Sequence, residues 1–218
     1  AIEATILGKN HIWRMTTIAN EGYCYSQLSD STNAIKCFEA HQAACQQLYN
    51  LECDAAMNTL FALGHEYYNH QIENHYPKAL NAYCQAYELA KNLNDSINYN
   101  SSLYCISLCY FSQSQENNGD EQGKYLENAE VFVRELRNDN EEDRYLKNLI
   151  YDNLANFYNK KSEEYLQDSI TLQQALDYSQ KALETYQKKP DADQGVKRLL
   201  EIYKMDCLIR SNKIQEAI

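Results

Sequence analysis

The chain has 218 residues, and 31 acidic against 20 basic side chains leave a formal net charge of −11. That length fits one or two domains or one elongated repeat array, and 44% hydrophobic content is too high for a disordered chain. The charge excludes general nucleic-acid binding, which needs clustered Lys and Arg over phosphates, and favours a basic or neutral partner.

No run of 18 or more apolar residues exists, so no transmembrane helix is expected. The opening Ala1-Ile2-Glu3-Ala4 lacks a basic segment followed by an apolar one, so no signal peptide is read there, and the missing initiator Met suggests a cut or processed piece. Two prolines and six glycines are few for the turns of a sheet-rich fold. The composition predicts an all-α chain with short loops.

Taken in chain order, one pattern recurs: a small residue, an aromatic three positions later, and an alanine opening a second amphipathic segment. Gly22, Tyr25 and Ala34 form the first copy, followed by Phe38 and His41 on one face. Gly64, Tyr67 and Ala79 form the second, followed by Tyr83 and Ala86, with Pro77 in the first turn of the return segment. In the third copy Leu108 replaces the small residue before Phe111, and Leu126, Ala129, Phe132, Val133 and Leu136 carry the return. Either Asp139 or Asn140 is positioned to cap the next helix. Ala155 and Tyr158 open the fourth copy, then Ala175, Tyr178 and Ala182, with Lys188, Lys189 and Pro190 marking a helix end. The fifth has Met205, Leu208 and Ala217. Offsets of 42, 44, 47 and 50 residues separate Gly22, Gly64, Leu108, Ala155 and Met205. Each offset holds two helices and two loops. The small residue lets the second helix approach closely, and the aromatic fills the space between the helices.

This pattern resembles the tetratricopeptide repeat (TPR), on the small residue, the aromatic and the twelve-residue step from Gly22 to Ala34. The second and fourth copies depart from it through insertions near Gln71–His75 and Lys160–Glu164. Repeats of just over forty residues look like those of kinesin light chains, Pins/LGN adaptors, tonsoku-like proteins and Rap-type peptide receptors. Asp152-Asn153-Leu154-Ala155-Asn156-Phe157-Tyr158 is similar to the kinesin light chain Asn-Leu-Ala-x-x-Tyr core, and Asn20 holds the equivalent place before Gly22.

The resemblance implies a right-handed α-solenoid of antiparallel TPR-like hairpins: one helical repeat domain spanning 1–218. Its repeats fall at about 11–50, 55–94, 99–138, 146–189 and an incomplete 196–218. It further implies a non-catalytic interaction scaffold whose first helices line a concave groove holding an extended peptide or helix of a partner protein. The alternatives are a Rap-like peptide-responsive receptor and a structural, self-associating array.

Counting by 3.6 places Thr16, Ala19, Tyr23 and Ser26 toward the groove in the first copy. The second contributes Asn58, Phe61, His65, Tyr68 and Asn69, the third Ser102, Cys105, Cys109 and Ser112, and the fourth Asp152, Asn156 and Asn159. By the kinesin light chain likeness, Asn20 and Asn153 would hold ligand backbone. The partner-binding set is therefore Asn20, Tyr23, Asn58, His65, Tyr68, Asn69, Asp152, Asn153, Asn156 and Asn159. Asp152, Glu66 and Asp206 are the acids expected near it. Where TPR clamps for chaperone carboxylates carry Lys and Asn, this chain has Ala19, Tyr23, Phe61 and His65, so a chaperone-tail clamp is not expected.

Chemistry-bearing motifs are sparse. His65 and His70 are five apart, about 140° on the helical wheel, unlike the one-face pair of a zinc-protease helix. The eight cysteines contain no C-x-x-C pair and read as buried free thiols in a reducing, intracellular (cytoplasmic or nuclear) setting. No catalytic residue, metal site or cofactor is expected, and no membrane or direct nucleic-acid contact. An unfinished last repeat would leave an apolar face for further repeats, a capping helix or association.

Overall fold

The computed structural model of the chain describes residues 12–49, 54–69, 75–137, 140–166 and 172–215. The described residues form helices only. In order these are α1 Ile12–Gln27, α2 Ser31–Tyr49, α3 Asp54–Asn69, α4 His75–Asn92, α5 Ser96–Glu116, α6 Gly119–Val133, α7 Glu141–Leu166, α8 Leu172–Gln187 and α9 Gln194–Gln215. They divide into two compact units, 1–109 and 110–218, with the boundary inside α5. In the first unit α1 packs on α2, α2 on α3 and α3 on α4; in the second, α6 packs on α7, α7 on α8 and α8 on α9. Each unit is a stack of helix hairpins, the architecture of an α-solenoid.

Side-chain caps set several helix starts. Asp30 precedes α2 and accepts from the Asn33 backbone N–H (3.2 Å) and Nδ2 (2.7 Å). Asp95 does the same before α5, accepting from the N–H groups of Ile97 and Asn98 at 3.1 Å and from Asn98 Nδ2 at 2.7 Å. Each aspartate follows a residue in the left-handed region, Ser29 (φ 59°) or Asn94 (φ 55°). Leu28-Ser29-Asp30-Ser31-Thr32-Asn33 and Leu93-Asn94-Asp95-Ser96-Ile97-Asn98 are thus one turn used twice. Asn140 caps α7 through the Asp143 N–H at 2.7 Å, and Asp193 caps α9 through Gly195 and Val196. Asp139 lies outside the described residues. Pro77 sits in the first turn of α4, where its missing N–H costs no helical bond. Helix α8 ends at Gln187, one residue before the lysine pair expected to close it.

Close approach follows from glycine. A Cβ on Gly22 would stand 2.7 Å from the Phe38 ring of α2, and one on Gly64 would stand 2.6 Å from Tyr83 Cζ of α4. The small residue therefore works as anticipated, but the filling ring comes from the return helix rather than from Tyr25 or Tyr67. Tyr25 is 36% exposed, and Tyr67 is half-buried against the first hairpin. In the second unit the arrangement reverses: Gly123 on α6 receives the Phe157 ring of α7.

The tyrosine of the first helix reaches back to the preceding hairpin instead. Tyr67 Oη donates to Glu39 on α2 at 2.6 Å, and Tyr158 Oη donates to Glu127 on α6 at 2.7 Å. Burial first, and the paired carboxylate second, push both phenols well above the usual tyrosine range.

Apolar burial holds these seams. In the first unit Met15, Cys45, Ala56, Met57, Leu60, Ala86, Leu89 and Ala90 form one cluster, and Ala34, Ile35, Phe38, Leu63 and Ala82 another. In the second, Leu126, Leu154, Ala155, Tyr158, Ala182, Leu183, Tyr186 and Leu200 pack together. Each large side chain removed from water in this way contributes about 1.5–3 kcal/mol. Cys45, Cys105, Cys109 and Cys207 are buried free thiols, while Cys24 is exposed.

Candidate functional site

The predicted site residues lie on α1 and α3 in the first unit and on α7 in the second. On α3, one face supplies Ala56, Met57, Thr59, Leu60, Leu63, Gly64 and Glu66 to the interior. The opposite stripe is open: Asn58, His65 and Asn69 are exposed, and Phe61 and Tyr68 are half-buried. The interior face of α3 is dense enough to fix the helix's rotation.

Two of those residues are also tied to α4. Tyr83 Oη and His65 Nδ1 are 3.0 Å apart, and the rings meet edge-on at 5.6 Å. The packed side of the imidazole pushes its pKa down, with the Glu66 carboxylate pulling the other way. Tyr68 meets Tyr76 edge-on at 6.0 Å. His65 and Tyr68 are thus held in place by aromatic side chains of α4.

On α1, Tyr23 is 43% exposed and rests edge-on against Phe38 at 5.0 Å. Asn20 points elsewhere. It shares a shallow depression with Thr17, Glu21, Cys24 and Tyr25, on the flank of α1 away from Gly22. In α3 the corresponding flank, from Thr59 to Tyr67, packs against the first hairpin. Thr59 Oγ1 lies 2.7 Å from the buried His41 Nδ1 of α2, and Ser26 donates to Glu66. Asn20 therefore does not join Tyr23 in one stripe.

On α7, Asp152, Asn153 and Asn159 are half-buried and Asn156 is exposed. Asn153 Nδ2 donates to the Leu149 carbonyl of its own helix (2.8 Å), and Asn159 Nδ2 to Glu163 (3.1 Å). Asp152 is held by Lys189 Nζ at 2.7 and 2.8 Å, just past the end of α8. The lysine pair read as a helix-end signal instead forms tertiary ion pairs: Lys188 binds Glu130 at 2.8 Å in the same way.

Three expectations change. Ser102, Cys105 and Cys109 on α5 are 0%, 8% and 0% exposed, so they belong to the interior rather than to a groove. Burial raises the Cys105 thiol to about 12 and Cys109 higher still. The half-open line on α5 runs one residue earlier, through Ser101, Tyr104 and Leu108. Glu66, expected as an acid near the groove, is 6% exposed. Asp152 is already neutralised. The local field along the stripes is therefore weaker than the net charge of −11 implies.

Among the described residues no group of three or more His, Cys, Asp or Glu side chains is placed to hold a metal ion. His70 lies outside them, and the His75 ring lies 4.0 Å from that of Tyr76, tilted by 40°. No described helix is long and apolar enough to cross a membrane.

No known family model matches the chain, and no curated protein does. Solved structures do. A putative kinesin light chain from Podosopora anserina with nearly identical TPR-like repeats aligns over 94% of this chain and 90% of its own, at 14% identity and a TM-score of 0.43. A single-substitution form of that protein aligns over 94% and 89%, at 13% identity and a TM-score of 0.44. At these identities no residue role passes from them to this chain.

Proposed function

We propose that the chain is a non-catalytic repeat scaffold that binds a protein partner along the open stripes of its first helices. The observation that carries this reading is the α3 stripe. Asn58, Phe61, His65, Tyr68 and Asn69 present amides and rings to solvent on a helix whose other face is locked in the core. Amides hydrogen-bond backbone of either polarity, and aromatic rings supply contact area at low entropic cost. Such a surface suits an extended peptide or a helix, held by recognition rather than by bond-making. Asn156 with Tyr23 extends the same chemistry on other first helices. The net charge steers a basic partner toward the molecule as a whole, an effect that weakens with salt.

The test is affinity capture with the immobilised chain and with an Asn58→Ala/Asn69→Ala/Asn156→Ala variant. These three side chains are exposed and sit outside the apolar core clusters. A specific partner should be recovered at least tenfold less by the variant at an unchanged melting temperature. Equal recovery by both baits would remove the stripes from the reading.

A further inference from the structure

Asn118-Gly119 is the only Asn-Gly pair in the sequence, and it falls at the start of α6. Asn118 is the N-cap of that helix. Its backbone is extended (φ −130°, ψ 166°), and its side chain makes no capping hydrogen bond. The capping residues Asp30, Asp95, Asn140 and Asp193 each accept from a first-turn backbone N–H. The Asn118 amide thus lacks the bond that its position usually makes. Asn118 and Gly119 are both exposed.

An asparagine side chain is long enough to close a five-membered ring with the backbone nitrogen of the next residue. When that nitrogen loses its proton it attacks Cγ; the N–Cγ bond forms, the Cγ–Nδ2 bond breaks, and ammonia leaves. Water then opens the succinimide. Opening at Cγ gives aspartate, and opening at the backbone carbonyl gives isoaspartate, whose main chain runs through Cβ. Access to the nitrogen governs the rate. The Gly119 N–H is the first of α6, where helix geometry supplies no partner within the helix. Glycine adds no Cβ to shield it, and a Cβ built there would meet nothing within 4 Å. The segment therefore has room to turn as the ring closes.

Three other asparagines show what protection looks like. The N–H that follows Asn33 is bonded to the Asp30 carbonyl at 3.0 Å. Those following Asn94 and Asn98 are bonded at 2.9 Å to the carbonyls of Ala90 and Asp95. Asn33 and Asn98 also commit Nδ2 to Asp30 and Asp95, each at 2.7 Å. In all three the attacking nitrogen is held in a turn or helix.

We propose that Asn118 is a self-modification site, converting without an enzyme to aspartate and isoaspartate through attack by the Gly119 nitrogen. The aspartate form gains a carboxylate at the N-cap of α6, where the positive end of the helix favours it. The isoaspartate form lengthens the backbone two residues before Asp120, whose carboxylate holds Lys161 of α7 at 2.9 Å. One reaction places either a new charge alone or a new charge with a longer backbone beside the α6–α7 seam.

The experiment holds the full chain at mildly alkaline pH, folded or in guanidinium chloride, and follows each asparagine by peptide mapping. The mass gain of an amide-to-acid change locates the site, and labelling by an isoaspartyl methyltransferase counts the isoaspartate fraction. Folded Asn118 is expected to convert within tenfold of its rate in the unfolded chain, and faster as pH rises. Asn33, Asn94 and Asn98 should convert at least tenfold more slowly than Asn118 in the folded chain. Asn118→Gln should lose the label at an unchanged circular dichroism melt, because its longer side chain closes only a six-membered ring. Protection of Asn118 by more than tenfold on folding overturns the proposal. Conversion of any of the other three at less than that tenfold disadvantage, or a label that survives Asn118→Gln, does so too.

Discussion

Gly64→Ala puts the hairpin-closing contact under direct test. The added methyl would enter the Tyr83 ring, standing 2.6 Å from Cζ and 2.7 Å from Cδ1, where ordinary contact begins near 3.4 Å. Tyr83 is 2% exposed and its hydroxyl is tied to His65 at 3.0 Å, so the ring has little freedom to retreat. Overpacking at this depth costs about 3 kcal/mol. Displacing the ring also strains the Tyr83–His65 hydrogen bond, at about 1 kcal/mol. Alanine's better helix propensity offsets about 1 kcal/mol. The net expectation is destabilisation of about 3 kcal/mol. Gly22→Ala meets Phe38 at 2.7 Å with no hydroxyl tie, and should cost about 1 kcal/mol once the same propensity gain is counted.

Urea unfolding followed by fluorescence is the assay. Trp13, the chain's only tryptophan, lies on α1 and so reports the first unit. Tyr83→Leu placed on Gly64→Ala should recover part of the loss, giving a measurable coupling between the sites. A Gly64→Ala chain as stable as wild type would refute the close-approach argument, because helix propensity alone would then decide the outcome.

Other consequences are smaller but distinct. His41 is buried, and burial holds its pKa below the ordinary 6.5. The unfolded chain therefore takes up this proton first as pH falls. Stability from His41 is fully present above about pH 6.5 and declines below it, and His41→Gln should flatten that part of a melting-temperature profile between about pH 8 and 5. Tyr158→Phe removes the hydroxyl that reaches Glu127 and should cost about 1 kcal/mol in urea unfolding. With that phenol raised above the ordinary 10, its contribution is complete below pH 10 and falls away at higher pH. Asp30→Ala should cost about 1 kcal/mol by removing the α2 cap. Lys189→Met frees Asp152 from a partly exposed pair. Its stability cost should stay below about 1 kcal/mol and shrink in high salt.

How much of the molecule was legible in the chain alone differs from element to element. The hairpins were, because a small residue and an alanine recurring at near-constant offsets mark successive amphipathic helix pairs. The buried face of α3 was too, since a helix with a dense apolar face has one stable rotation. The repeated Leu-[Ser/Asn]-Asp-Ser-x-Asn turn was equally present in the residues and went unread, its two copies being 65 positions apart and out of phase with the repeat. Identity at the turn would have revealed it.

Tertiary structure decided the rest. Tyr25 and Phe38 are both aromatic and both fit the pattern, but only the packed hairpin determines which ring lies over Gly22. The α5 face containing Ser102, Cys105 and Cys109 reads as polar from side-chain type, and neighbouring helices bury it. Small serines and thiols fit an interior as easily as a surface. Lys189 on Asp152 and Ser26 on Glu66 join residues 37 and 40 apart, and these pairs set the local charge of the proposed surface. Local sequence determines helix, cap and amphipathic face, because those forces act within a turn or two. Which polar group meets which across a seam depends on helices brought together by burial, and no short-range pattern records that choice.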